Sequence, residues 1–161
     1  MANKQEVRVR IKSVRYEVEA SLFSDEGEQL QSRHGSLEVE PETRHINTLG
    51  TKTVENGRIE ISYEETEATG MDGSTTTVTY MLDQPGVVSM IREGVVSTAL
   101  VFERGKRHHC MYRTPIMPFE ICVHTLKVEN RLGESGTLML DYVIEIRGAR
   151  AERTKFYMEI L

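Results

Sequence analysis

Short runs in which apolar and polar residues alternate, separated by turn residues, recur along most of the 161-residue sequence. The clearest run places Leu138, Leu140, Tyr142, Ile144 and Ile146 at every second position. Because successive side chains of a β-strand point to opposite faces of the sheet, this period of two is typical of a strand with one buried face. No segment shows a convincing helical period, so the sequence predicts an all-β protein of about eight to ten short strands.

The segments between the predicted strands are short and rich in turn residues. Asn56-Gly57 is the strongest of these signals, because a two-residue type I′ hairpin turn needs positive φ at both positions. Sequential hairpins imply an antiparallel meander, and a meander of this length must close or stack to remove its edges. We therefore predict one domain over residues 1–161, an antiparallel up-and-down β-barrel, with a two-sheet sandwich as the alternative.

Three segments depart from the plain pattern. Apolar residues occupy odd positions from 7 to 11 and even positions from 14 to 22, which predicts a β-bulge near Lys12-Ser13. Residues 95–103 are apolar at both parities, which predicts a strand buried on both faces. Residues 25–42 are polar and acidic, and we interpret them as a mobile excursion from the barrel.

Composition narrows the classes of function. The net charge of −5 argues against nucleic acid as the main partner. The first twenty residues are charged throughout, and no window is long and apolar enough to span a membrane. We therefore expect a cytoplasmic protein with two reduced cysteines, either a monomer or a homodimer. The sequence contains no nucleophile elbow, phosphate loop, dinucleotide fingerprint or zinc-protease motif, so we expect no cofactor and lean against an enzyme.

One carboxylate falls on the inward parity of a predicted strand. Glu65 continues the alternation of Ile61 and Tyr63, and a buried carboxylate is costly unless it is paired. We expect an ion pair with an arginine such as Arg92 at one end of the barrel, and secondarily a polar group that orients a ligand. General acid–base catalysis needs a second positioned group that the sequence does not identify. The residues predicted to line a ligand site are Tyr63, Glu65, Tyr80, Arg92, Phe102 and Tyr112.

Histidines and cysteines cluster in the predicted hairpin around residues 108–124. If Cys110 lies opposite Cys122, then His108, Cys110, Cys122 and His124 share one face of the sheet. Two strands that present alternate ligands in this way can form a tetrahedral zinc site. The competing interpretation is a set of unrelated surface histidines and half-buried thiols, because Phe119, Ile121 and Val123 look core-facing and would leave Cys122 and His124 outside.

Several short motifs occur in a fixed order along residues 49–142. They are Tyr63-Glu64-Glu65, Gly70-Met71, Asp72-Gly73, Thr75-Thr76-Thr77, Arg92-x-Gly94, Leu100-x-Phe102, Gly105, Tyr112-x-Thr114-Pro115 and Thr125. As an ordered set they resemble the YwiB-like family of uncharacterised bacterial proteins. The resemblance implies a calycin, or lipocalin-like, β-barrel and carries no catalytic residues. Ile116 and Met117 depart from the family pattern, which favours an aromatic residue and a glycine after Thr114-Pro115.

Three functions stay open at this point. The first is a barrel that holds one small apolar or amphipathic ligand, because eight-stranded barrels can enclose a small molecule. The second is an interaction or regulatory protein whose barrel is filled by its own side chains, and the third is a zinc protein built on the His/Cys hairpin. We favour the first by analogy with the fold, and inward side chains that pack solidly would argue against it.

Overall fold

The computed structural model describes residues 3–18, 41–65, 73–146 and 150–161, and every regular element within these ranges is a β-strand. The strands in chain order are β1 (Asn3–Val18), β2 (Glu42–Glu55), β3 (Arg58–Glu64), β4 (Thr75–Met81), β5 (Gln84–Glu93), β6 (Ser97–Glu103), β7 (Arg107–Arg113), β8 (Pro118–Arg131), β9 (Thr137–Ile146) and β10 (Arg150–Ile160). The all-β prediction is confirmed.

The ten strands form one closed antiparallel barrel. Each strand pairs with its neighbours in sequence, and β1 completes the circle by pairing with both β2 and β10. The up-and-down barrel is therefore confirmed and the two-sheet sandwich is wrong. Closure gives each strand of the ring a neighbour on both sides, and the shortest ladder joins β6 to β7 through two residue pairs, Ser97 with Arg113 and Thr98 with Tyr112.

The two ends of the barrel differ in their connections. Tight turns at residues 56–57, 82–83, 104–106 and 132–136 join strands at one end, which we call the turn end. The predicted Asn56-Gly57 turn is among them, with φ angles of 51° and 75°. We call the opposite end, at which β1, β3, β5, β7 and β9 finish, the mouth end.

Apolar side chains fill the middle of the barrel. Among the fully buried ones are Val9, Ile61, Val78, Val88, Phe102, Leu138, Leu140 and Met158. The Phe102 and Tyr142 rings pack against each other with centroids 4.5 Å apart, a separation typical of favourable aromatic pairs. Tyr63, Leu100, Phe102 and Leu140 are inward and buried, as the alternation predicted.

The predicted β-bulge in β1 is wrong. The strand keeps a continuous register with both neighbours through Lys12-Ser13. Ser13 and Arg15 instead continue the inward face of Val9 and Ile11, and both line a pocket at the mouth end. The change of parity marks the point at which β1 leaves the apolar core and its inward side chains become polar.

The prediction that residues 95–103 form a strand buried on both faces is also wrong. Its regular part begins at Ser97, and Val95 lies before it with 74% of its surface exposed. Within β6 buried and more accessible residues alternate, with Ala99 exposed on the outer face. A closed barrel has one interior, so each of its strands keeps one outward face.

A buried ion pair on the outer face joins the strands next to the closure. Arg153 of β10 donates two hydrogen bonds to Asp141 of β9, at 2.9 and 2.6 Å. This hydrogen bonding raises the pKa of Arg153. The guanidinium also lies 5.9 Å from the ring centroid of Tyr16 on β1, so one side chain connects three consecutive strands of the ring.

The acidic segment predicted at residues 25–42 falls mainly outside the described residues. Only residues 41 and 42 are described, and Glu42 is the first residue of β2. In the ranges given above, the structure contains no helix that is long and apolar enough to cross a membrane.

Gly50 lies where β2 packs closely against the core, and a substitution at this position tests that packing. A Cβ atom at this position would lie 2.6 Å from the carbonyl oxygen of Ser62 and 2.8 Å from Cγ2 of Val9. We expect Gly50→Ala to lower the free energy of unfolding by about 1–3 kcal/mol, because backbone and a buried side chain must both shift. Urea unfolding measures the change, with Gly86→Ala as the matched control, since no atom lies within 4 Å of its Cβ position. Equal losses in the two variants would contradict this account of Gly50.

Candidate functional site

One row of paired residues crosses the inside of the barrel at the mouth end. The row runs from β2 to β7 through Gly50, Tyr63, Thr76, Arg92, Thr98 and Tyr112. Because directly opposed residues of a sheet share a face, these side chains all turn toward the interior. Three of the predicted ligand-lining residues, Tyr63, Arg92 and Tyr112, therefore lie in one row, and Glu65 lies one step nearer the mouth. Tyr80 and Phe102 lie in another row, within the core.

Glu65 is the buried centre of a small polar network. Its side chain is 1% exposed, and Oε1 accepts a hydrogen bond of 2.6 Å from the Thr76 hydroxyl. Nη2 of Arg92 lies 3.4 Å from the same oxygen, and Nε of Arg92 lies 3.4 Å from the Thr76 hydroxyl. The expected inward orientation of Glu65 and its ion pair with Arg92 are both present. Within the described part of the chain, Oε2 has no hydrogen-bond partner.

Two backbone features hold Glu65 in place. The Glu65 N–H donates a 2.8 Å hydrogen bond to the Ser74 carbonyl, which ties the end of β3 to the start of β4. Gly94 follows β5 and packs so closely against Ser74 that a Cβ atom at Gly94 would overlap the Ser74 hydroxyl. The Arg92-x-Gly94 motif therefore combines the arginine of the network with a glycine that allows the end of β5 to approach Ser74.

The network lines a small pocket at the mouth end. Its cavity volume is about 60 Å³, enough for a few water-sized groups. The lining residues are Ile11, Ser13, Arg15, Arg44, Ile46, Tyr63, Glu65, Met90, Arg92, Tyr142, Thr154 and Phe156. Three of the predicted ligand-lining residues, Tyr63, Glu65 and Arg92, are among them. Tyr80, Phe102 and Tyr112 are not.

Sequence reasoning missed Arg15 and Arg44, which bring positive charge to the part of the pocket formed by β1 and β2. The change of parity in β1 was the available signal for Arg15, since it marks polar residues on an inward face. Arg15 lies 3.8 Å from Glu152, and Arg44 forms an ion pair with Glu42. The hydrogen bond and charge of Arg44 lower the pKa of Glu42. Exposed ion pairs of this kind contribute little net stability.

Two tyrosines present neutral hydroxyl groups to the pocket region. Burial raises the pKa of Tyr63, and the charge of Glu65 raises it further. Burial also raises the pKa of Tyr142, where the positive charges of Arg15 and Arg92 oppose the rise. A phenol with a raised pKa stays protonated at neutral pH and can donate a hydrogen bond.

The predicted zinc site required Cys110 to lie opposite Cys122, and this prediction is wrong. β7 and β8 pair Cys110 with Ile121 and His109 with Cys122, one residue away from the expected register. A shift of one residue exchanges the two faces of a strand. His108 and Cys110 therefore share the inward face with Ile121 and Val123, whereas Cys122 and His124 lie on the outer face. Burial lowers the pKa of His124. The described residues include no group of three or more His, Cys, Asp or Glu side chains placed to hold a metal ion.

Comparison with known proteins identifies the family of the chain and a solved structure with a similar fold. Residues 29–158, well over half of the chain, match the model of the family described as "Domain of unknown function (DUF1934)". The chain belongs to this family. The DUF1934 barrel is also similar to the crystal structure of the ywiB protein from Bacillus subtilis, with a TM-score of 0.66 and 15% identity over 97% of this chain and 92% of the other. At that identity the similarity shows the fold alone, and it confirms the YwiB-like resemblance and the barrel. No curated protein matches the chain.

The Glu65–Arg92 pair makes a first prediction for the site. Arg92→Met leaves a buried carboxylate without its cation, so we expect the free energy of unfolding to fall by about 3 kcal/mol. Glu65→Gln removes the charge but keeps the shape, and the double variant should lose clearly less stability than the sum of the two single changes. Urea unfolding of the four proteins measures this coupling. Strictly additive losses would show that the two side chains do not interact.

The buried tyrosines make a second prediction. Burial raises the pKa of Tyr63, Tyr80 and Tyr142 above the value of about 10 that a tyrosine has in the unfolded chain. Above that pH the unfolded state has lost protons that the folded state retains, so stability falls as the pH rises. We expect Tyr63→Phe to reduce this alkaline loss, measured by urea unfolding between about pH 8 and pH 11. Tyr157→Phe, on the outer face, is the control, and an identical pH dependence in both variants would contradict the prediction.

Proposed function

We propose that this DUF1934 barrel binds a small polar or amphipathic molecule at its mouth end, in the pocket lined by Glu65 and Arg92. One observation carries the proposal: Glu65 is almost completely buried, yet its Oε2 has no hydrogen-bond partner in the described ranges. Buried polar atoms are nearly always hydrogen-bonded, and leaving one unpaired costs about 1–3 kcal/mol or more. A ligand atom in the pocket would supply the missing partner.

The dimensions of the interior support a small ligand rather than a large apolar one. The side chains of Phe102, Leu138, Leu140 and Met158 fill the barrel below the pocket. Pockets that enclose drug-sized molecules have volumes of roughly 300–1,000 Å³, whereas this one has about 60 Å³. The ligand is therefore a small molecule, or the small polar end of a longer one, held near the mouth of a lipocalin-like barrel. We place this binding role in the cytoplasm, where free thiols such as Cys110 and Cys122 persist.

A second candidate function is interaction with another protein. Large apolar side chains are exposed in two connections at the mouth end, with Ile116 at 91%, Val95 at 74% and Met117 at 60%. Exposed apolar groups that lie near one another are typical of interaction sites. This observation supports the alternative of a filled barrel whose outer surface meets a partner.

Native mass spectrometry of the full chain purified from its own host tests the proposed function. We expect a co-purified small molecule at one copy per chain, released on unfolding and absent or strongly reduced in Glu65→Gln. Glu60→Gln is the matched control, because it makes the same change on the outer face of β3, the strand that Glu65 directly follows. Wild-type protein that carries no small molecule, and is not stabilised by a metabolite extract from that host, would exclude this function. A co-purified protein in its place would favour the second candidate.

A further inference from the structure

We propose that the molecule bound in the mouth pocket is a small zwitterion, with a cationic N–H group and an anionic group such as a carboxylate close together. This inference rests on the proposed function and names the class of ligand. Two opposed charge environments in the same pocket carry it: Glu65 on the side of β3, and Arg15 with Arg44 on the side of β1 and β2.

On the acidic wall, formed by Glu65 beside β3, one carboxylate oxygen has no hydrogen-bond donor among the described residues. Both contacts that the Glu65 carboxylate accepts, from Thr76 at 2.6 Å and from Arg92 at 3.4 Å, go to Oε1. In the described part of the chain nothing donates to Oε2. An ionised carboxylate only accepts hydrogen bonds, so the missing partner is an N–H or O–H donor. A cationic donor forms the stronger bond, because both groups are then charged.

The basic wall is formed by Arg15 and Arg44, which line the same cavity. Arg15 is 3.8 Å from Glu152, a distance at which the contact is an ion pair without a short hydrogen bond. Glu42, the partner of Arg44, keeps about half of its side chain exposed to solvent. Water competes with such contacts, so an anionic group of a ligand can replace them. The planar guanidinium is also suited to binding a carboxylate through two parallel hydrogen bonds.

The two walls together select for a ligand of both charges. A simple anion is repelled by the buried charge of Glu65. A simple cation is repelled by Arg15, Arg44 and Arg92. A zwitterion pairs each of its charges with the opposite sign, which is the basis of electrostatic specificity. Tyr142 also lines the pocket, and the positive charges of Arg15 and Arg92 oppose the rise in its pKa that burial causes. The volume of about 60 Å³ limits the enclosed part to the charged end of the ligand.

The experiment compares three probes of nearly equal size: alanine, propionate and ethylamine. Each is titrated into the full chain, and binding is followed by amide chemical shifts of residues around Glu65 and Arg92. We expect alanine to bind at least tenfold more tightly than either propionate or ethylamine. Glu65→Gln should lower the affinity for alanine at least tenfold and should leave the affinity for propionate unchanged or raise it. Arg15→Gln should lower the affinity for both alanine and propionate.

Glu60→Gln and thermal unfolding of each variant control for effects on folding. Propionate binding as tightly as alanine, with no effect of Glu65→Gln, would overturn the zwitterion and leave a small-molecule site in place. Ethylamine binding as tightly as alanine would overturn it in the same way. If none of the probes shifts the pocket amides, the zwitterion is excluded. The proposed function then fails as well only if native mass spectrometry also finds no bound molecule.

Discussion

The pairing of β1 with both β2 and β10 is the interaction on which the rest of the structure depends. β1 aligns with thirteen residues of β2 and ten of β10, without a break in register on either side. A meander of ten strands would otherwise expose two edges, and closure removes both. The outer-face pair of Arg153 with Asp141, next to Tyr16, reinforces the same seam. A slip of one residue would turn Val9 and Ile11 toward solvent, so the core itself holds this register.

The same strand explains why one end of the barrel is polar. β1 extends beyond the apolar core, and its last inward side chains include Ser13 and Arg15. Closure then brings Arg15 into one small cavity with Glu65, which comes from a distant part of the chain. Thr76 and Arg92 compensate Glu65 only in part, and an incompletely satisfied polar network is less stable than an apolar core. Native proteins retain such costs mainly at functional sites, which supports our proposal that a ligand binds at the mouth end.

Much of the fold and part of the site could be predicted from the sequence. The alternation correctly oriented Tyr63 and Leu140, and the parity of Glu65 predicted a buried carboxylate with an arginine partner. The register of β7 on β8 could not be predicted, because connections of slightly different length join the two strands equally well. The observed register differs from the predicted one by a single residue. That difference puts His108 and Cys110 on one face of the sheet and Cys122 and His124 on the other, so the four predicted zinc ligands do not come together. The polar end of β1 was misinterpreted as a bulge, because local periodicity does not show where a core ends.

The sequence by itself determined most of the strands, inward faces such as those of Tyr63 and Leu140, the Asn56-Gly57 turn and the family. These properties depend on neighbouring residues, since a period of two and a turn conformation are both local. Only the tertiary structure decided that the sheet closes, how the strands align and which side chains share the pocket. Those properties depend on pairing between residues far apart in the chain, such as Arg15 and Glu65. Their energies come from burial and charge that exist only once the barrel has closed.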